Sequence, residues 1–278
     1  MPVDLDRFLQ CLAEGPAVLV QVQATKGSAP RDAGTWMAVL YEDLIGTIGG
    51  GHLEFQAIDR ARQMLASGSA LVAASGVQPA KPVEQQRIAL GPSLGQCCGG
   101  VVQLQFEWVH AADIPALRQR LSAGRMSVAL FGGGHVGHAL ADVLAKLPMA
   151  LHWIDSREGI FPRHLPPHVL CEHSEPVQDA VKDIAPGARV LIMSFSHAED
   201  LDILAHCLLR QRARGDLPYI GLIGSKTKWA TFKHRLEARG FSATELAHVT
   251  CPIGVSGISG KEPEVIAVAV AAQLLQGR

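Results

Sequence analysis

The chain has 278 residues, 48% of them hydrophobic and 18% charged, with 28 Gly and 16 Pro, which excludes disorder, collagen and coiled coil and leaves room for one large domain or two ordinary ones. A chain this long buries roughly 75% of the surface it exposes when unfolded, so it needs no disulfide staples; its 6 Cys, without zinc-site or secreted-framework spacing, read as cytosolic thiols. With 25 Lys and Arg against 26 Asp and Glu and only 5% aromatics, neither a broad basic face nor a stacking platform for nucleic acid is expected.

The chain opens with apolar residues at Leu5, Phe8, Leu9 and Leu12, one face of a helix rather than a signal peptide. The longest apolar run, Val265 to Ala272, falls short of the ~18 residues of a membrane span, so a cytoplasmic protein without membrane attachment is expected. From Ala17 to about Trp108, the strand-like runs AVLVQVQAT, WMAVLY and VVQLQFEWV alternate with Gly-rich turns and one helical stretch, Leu53 to Leu65, which predicts an α+β domain. The amphipathic segment IPALRQRLSAGR then leads to the apolar burst SVALF, so the predicted domains are 1–122 and 127–278.

In the second domain strands and helices alternate: VALF, a helix to Leu147, ALHWID, a short VLC, a helix near 177–184, RVLIMSF, a helix near 199–210, YIGLIG and further helices. That order predicts a Rossmann-like, doubly wound parallel sheet, and the fold class is α/β.

The sharpest motif is Gly132-Gly133-Gly134-His135-Val136-Gly137 between strand VALF and a helix, with Asp155 ending the next strand. In a dinucleotide fingerprint Gly132 makes the tight turn, Gly134 admits a pyrophosphate, Gly137 lets the helix close on the sheet and the acid accepts from a ribose. The same glycines can also serve packing alone. A second candidate phosphate site is Gly224-Ser225-Lys226-Thr227-Lys228, where helix N–H groups meet two lysines; lysines there are electrostatically misplaced unless something negative sits nearby. The basic run 226–239 fits a phosphate, an acidic partner or a solvated helix face.

In the first domain, Gly95-Gln96-Cys97-Cys98-Gly99-Gly100 sets two sulfurs in a glycine frame. A thiolate there can be a soft metal ligand or a sulfur acceptor, and the alternative is a pair of small buried hydrophobes. Two Gly-rich loops accompany it. Lys26-Gly27-Ser28-Ala29-Pro30-Arg31 offers a guanidinium fork, and Gly49-Gly50-Gly51-His52-Leu53-Glu54 can cradle an anion at a helix start, with His52 either structural or functional. Ser194, Ser196 and His197 lack the GxSxG elbow and read as a helix start, and Cys11, Cys171, Cys207 and Cys251 read as packing residues.

Taken in order, ATKGSAPRDAGTWMAV, GTIGGGHLE, GQCCGG, LFGGGHVGHAL, WIDSREGIFP, YIGLIGSKTKWATFKHRL and CPIGVSGISGKEPEVIAVAVAAQLL resemble the XdhC/CoxI family of xanthine dehydrogenase accessory proteins, over residues 17 to 275. The resemblance implies a carrier and chaperone rather than an enzyme. Such a protein binds the molybdenum cofactor (molybdopterin), holds it while a NifS-type cysteine desulfurase exchanges an oxo ligand for sulfido, delivers it to apo xanthine dehydrogenase and commonly forms a homodimer. It places cofactor binding on Cys97 or Cys98 with Gln96, then on Gly49, Gly50, Gly51 and His52 with Lys26, Ser28 and Arg31, and any molybdenum contact on the cysteines. Relatives carry a cysteine where this chain has His52, so a two-sulfur arrangement from that loop is absent. The competing expectation is an NAD(P)-binding oxidoreductase built on Gly132, Gly134, Gly137 and Asp155, with Arg157 blurring NAD against NADP and His197 the best available proton donor.

Overall fold

The computed structural model describes residues 2–75, 83–91 and 99–276. These divide into two compact units, 3–123 and 124–278.

The first unit is built on an antiparallel sheet of five strands: β1 (Ala17–Lys26), β2 (Trp36–Val39), β3 (Leu44–Gly46), β4 (Val83–Ala89) and β5 (Val101–Val109), in the order β3-β2-β1-β5-β4. Strand β1 shows why these residues form a central strand. Val18, Val20 and Val22 face one side, Ala17 and Leu19 the other, and all are buried, so β-branched and aliphatic side chains fill both surfaces. On the first face lies α2 (Gly51–Ser75), contributing Leu53, Ala57, Ala61 and Leu65 at a four-residue spacing; on the other lie α1 (Pro2–Glu14), with Leu5, Phe8, Leu9 and Leu12, and α3 (Ile114–Ser122), with Leu117.

The helix expected over 53–65 is twice as long, and the edge strand β4 is absent from the sequence reading. Its face alternation is hidden because Val83, Gln85 and Arg87 are all exposed and only Ile88 is buried. Beyond Val22 strand β1 leaves the helical cover: Gln23 to Lys26 are exposed, the register shifts at Gln23, and Ala24 to Lys26 still pair with β5, Lys26 opposite Val101.

The second unit has a six-stranded parallel sheet: β6 (Met126–Phe131), β7 (Met149–Asp155), β8 (Val169–His173), β9 (Arg189–Ile192), β10 (Tyr219–Leu222) and β11 (Val249–Thr250), ordered β11-β10-β9-β6-β7-β8. Strand order reverses between β6 and β9, which puts the ligand-prone crevice at their carboxyl ends. Helices α4 (His135–Leu144) and α8 (Pro263–Gln276) cover the face carrying Val128 and Leu130. Helices α5 (His197–Arg214) and α6 (Lys226–Ala238), the short α7 (Ala243–Leu246) and a 3-10 turn at Val177–Asp183 cover the face carrying Ala129 and Phe131. The helix expected near 177–184 is that 3-10 turn. Among the described residues no helix is long and apolar enough to cross a membrane.

Candidate functional site

Sheet register brings three motifs of the first unit to one corner. Pairing of Lys26 with Val101 sets the loop after β1 beside the residues that lead into β5. A methyl group on Gly27 would stand 3.3 Å from the Gly100 Cα, and one on Gly100 would run into the Ser28 carbonyl oxygen and lie 2.7 Å from that of Lys26. The same loop touches the third motif, since a Cβ on Gly49 would fall 2.6 Å from the Pro30 Cβ and 3.4 Å from the Arg31 Cγ. Gly27, Ser28, Pro30, Arg31, Gly49 and Gly99-Gly100 thus share one corner, with Gly49 and Gly100 packed at distances only glycine permits. Gln96, Cys97 and Cys98, covalently next to Gly99, lie outside the described residues.

One expectation for this corner needs correction. The sequence predicts that the N–H groups of the Gly49-Gly50-Gly51 turn cradle an external anion, whereas those of Gly49 and Gly50 bond the chain's own side chains. The Glu54 carboxylate accepts from Ile48 N–H at 2.9 Å, Gly50 N–H at 3.1 Å and the Thr47 hydroxyl at 2.5 Å, and Gly49 N–H donates to Thr47 Oγ1 at 3.0 Å. Burial pushes the Glu54 pKa up, yet these hydrogen bonds more than offset it and hold the carboxyl below the usual range. His52 is exposed, within 3.1 Å of Gln56 Nε2 and stacked on Phe55. Lys26 and Arg31 are exposed cations that make no hydrogen bond or ion pair among the described residues.

In the second unit the glycine turn after β6 lies against the turn after β9. A methyl group on Gly132, whose φ is +121°, would collide with the Met193 carbonyl oxygen, and one on Gly137 would collide with the carbonyl oxygen of Gly132. Packing therefore explains both of these glycines. Gly134 is different: at φ −75° nothing lies within 4 Å of a Cβ built there, and as N-cap of α4 it has no side chain to satisfy the first N–H groups. Replacing Gly134 by alanine should therefore leave the urea midpoint nearly unchanged, within about 0.5 kcal/mol, while Gly132→Ala lowers it markedly. A Gly134→Ala midpoint falling as far as that of Gly132→Ala would contradict this division of roles.

Asp155 departs from the expected ribose acceptor. It is 2% exposed, and its two oxygens receive Gly133 N–H at 2.5 Å, Arg157 N–H at 2.8 Å, and Arg157 Nε and Nη2 at 2.9 Å each. Burial raises its pKa, but these donors win and hold the carboxyl below the usual range. The Arg157 guanidinium also lies 4.7 Å from the centre of the exposed Phe195 ring, and Glu199 accepts from Ser156 Oγ at 2.8 Å and Phe195 N–H at 3.2 Å. A ribose could bond Asp155 only by displacing Arg157.

The Ser225-Lys226 turn is likewise satisfied internally. Ser225 caps α6 by accepting from Lys228 N–H at 3.1 Å, and Lys226 is exposed. The negative group that its lysines require is Asp200: Lys228 Nζ reaches Asp200 Oδ2 at 2.6 Å and the Ile223 carbonyl at 2.8 Å. Asp200 Oδ1 accepts from Ser194 N–H at 2.8 Å and Ser194 Oγ at 2.7 Å. This buried Ser194-Asp200-Lys228 network escaped the sequence reading, whose only pointer was a lysine in the first turn of a helix. Ser196 caps α5, as the helix-start reading requires, and Cys207 is fully buried, its thiol pushed up to about 12. Burial also raises Cys171 and Cys251.

Residues 128–274 match the model of the XdhC Rossmann domain and residues 11–74 that of the XdhC and CoxI family. The chain is 29% identical over 267 residues to the uncharacterized protein YqeB of Escherichia coli (strain K12), an alignment taking in 94% of this chain but 43% of that protein's length. Its fold is similar to a Bacillus halodurans crystal structure described as a xanthine dehydrogenase, with a TM-score of 0.72, 19% identity and coverage of 98% of this chain and 95% of that one. Two family models in the expected order, one of them spanning more than half of the sequence, place the chain in the XdhC/CoxI family.

Proposed function

We propose that this chain is a maturation factor for a xanthine dehydrogenase, acting in the cytoplasm as a carrier rather than a catalyst. It takes up the molybdenum cofactor as cargo, presents it to a NifS-type cysteine desulfurase and hands the sulfurated form to apo xanthine dehydrogenase, working as a homodimer. The observation that carries this reading is the corner of the first unit where the Lys26-Arg31 loop, Gly49 and Gly99-Gly100 pack together, next in sequence to Cys97 and Cys98. The chemistry fits the cargo: thiolates suit a soft, thiophilic metal centre, and the free cations Lys26 and Arg31 suit a pterin phosphate. Ser28 and His52 supply further polar contacts.

Protein purified from a host that makes the cofactor should carry molybdenum together with a pterin that becomes fluorescent on oxidation. The Cys97→Ala, Cys98→Ala double variant should lose most of the molybdenum. Full occupancy in that variant would remove the sulfur role.

A second reading, an NAD(P)-binding oxidoreductase, is favoured by one observation: Gly134 and the uncapped start of α4, which the fold leaves open. A pyrophosphate suits that turn, whereas the saturated Asp155 does not suit a ribose diol. Calorimetric titration with NAD(H) and NADP(H) separates the readings, tight binding without pterin favouring the second.

A further inference from the structure

We infer that Phe55 is an aromatic platform for the flat ring of the cargo, with His52 beside it and Arg31 and Lys26 holding the anionic end; this rests on the carrier reading above. Phe55 begins the second turn of α2 and is 68% exposed, because Leu53 and Ala57 of the same helix take the core-facing positions. A single exposed phenylalanine is unremarkable, and its surroundings set this one apart. His52, one turn earlier, stacks on it with ring centres 6.4 Å apart and planes at 27°, and both residues are exposed. Three residues before His52, Gly49 is pressed against Pro30 and the Arg31 stem, a contact that holds the cation-bearing loop to the turn launching this helix.

Charge assigns the two ends of the ligand. The Ile48, Gly49 and Gly50 N–H groups are taken by Glu54 and Thr47, so an incoming anion meets Arg31 and Lys26, neither of which has a hydrogen-bond or ion-pair partner among the described residues. The corner therefore fits a flat heteroaromatic ring carrying a phosphate, the combination a pterin cofactor presents. Stacking of this kind is worth about 1–3 kcal/mol per ring by alanine substitution, a change in affinity of roughly five- to 150-fold. Nothing in the motif reading singles out Phe55.

The test uses the full chain and a pterin bearing an alkyl phosphate, followed by its fluorescence, with dephosphorylated pterin and inorganic phosphate as separate probes. Because Phe55 is exposed, Phe55→Ala and Phe55→Trp should fold normally. Phe55→Ala should weaken the pterin phosphate about tenfold or more, and Phe55→Trp should restore it. Arg31→Ala should weaken the phosphorylated probe and leave dephosphorylated pterin unchanged. Wild-type affinity in Phe55→Ala would overturn the proposal. So would a Phe55→Ala protein that keeps its pterin but no longer activates apo xanthine dehydrogenase, which would make the patch a protein-docking surface. If the wild type neither carries nor binds pterin, the carrier reading itself fails and takes the platform with it.

Discussion

Asp200→Ala is expected to be the most damaging single substitution in the second unit, costing about 3–5 kcal/mol, because it strands a buried ammonium. Asp200 is 2% exposed, and among the described residues its carboxylate is the only anion that Lys228 Nζ contacts. The aliphatic stem of Lys228 packs against the turn that precedes its helix, where a Cβ on Gly224 would be 2.7 Å from the Lys228 Cδ, and its side chain is 13% exposed. The same carboxylate holds both Ser194 N–H and Ser194 Oγ, tying the start of α5 to the end of β9.

Removing the other partner, in Lys228→Met, leaves the carboxylate with two donors and should cost somewhat less. The double variant Asp200→Leu, Lys228→Met should recover much of the loss, since a well-packed apolar pair often equals a buried ion pair. Urea unfolding of the three variants measures these differences. A drop below about 1 kcal/mol for Asp200→Ala would mean that the pair behaves as a surface contact and that Lys228 is free for another role.

The second large effect is expected at Gly100, and it is functional. An added methyl group meets two backbone carbonyls, those of Ser28 and Lys26, and backbone cannot rotate aside as a side chain can. Gly100→Ala should therefore push the strand leading into β5 away from the Lys26-Arg31 loop at a stability cost of about 1–3 kcal/mol. The corner would open while the sheet persists, because Leu104, Phe106 and their neighbours still pack on α2. Cofactor content per protomer should fall to a small fraction of wild type, with far-ultraviolet circular dichroism unchanged. Gly99→Ala is the control, since nothing lies within 4 Å of a Cβ there. Equal cofactor loss in Gly99→Ala and Gly100→Ala would show that close approach of the two loops is not what matters.

The glycines show how far sequence reading carries. Gly132, Gly134 and Gly137 were each given a role from the spacing of a dinucleotide turn, and the structure gives internal reasons for the first and third alone. Spacing locates a turn, but only packing tells which glycine the fold itself demands. The lysines of the 226–239 run teach the same lesson. An unbalanced cation at a helix start was legible, and its partner Asp200, 28 residues earlier, was not, because the pair forms only when α5 and α6 come to lie side by side on the sheet. Strand β4 was missed for a different reason: an edge strand with polar residues on both faces lacks the alternation that marks a half-buried one.

By itself the sequence determined the order of elements, the α+β character of the first unit, the Rossmann alternation of the second and the family, because each rests on local periodicity or contiguous motifs. Only the tertiary structure decided where the chemistry gathers. It bound N–H groups of two glycine turns to the chain's own carboxylates, Glu54 and Asp155, turned Lys228 toward Asp200 and left Lys26, Arg31 and Phe55 exposed. The physical reason is that a hydrogen-bonding partner or a stacking neighbour is set by strand register and helix packing between residues far apart in the chain, and no local pattern encodes that distance.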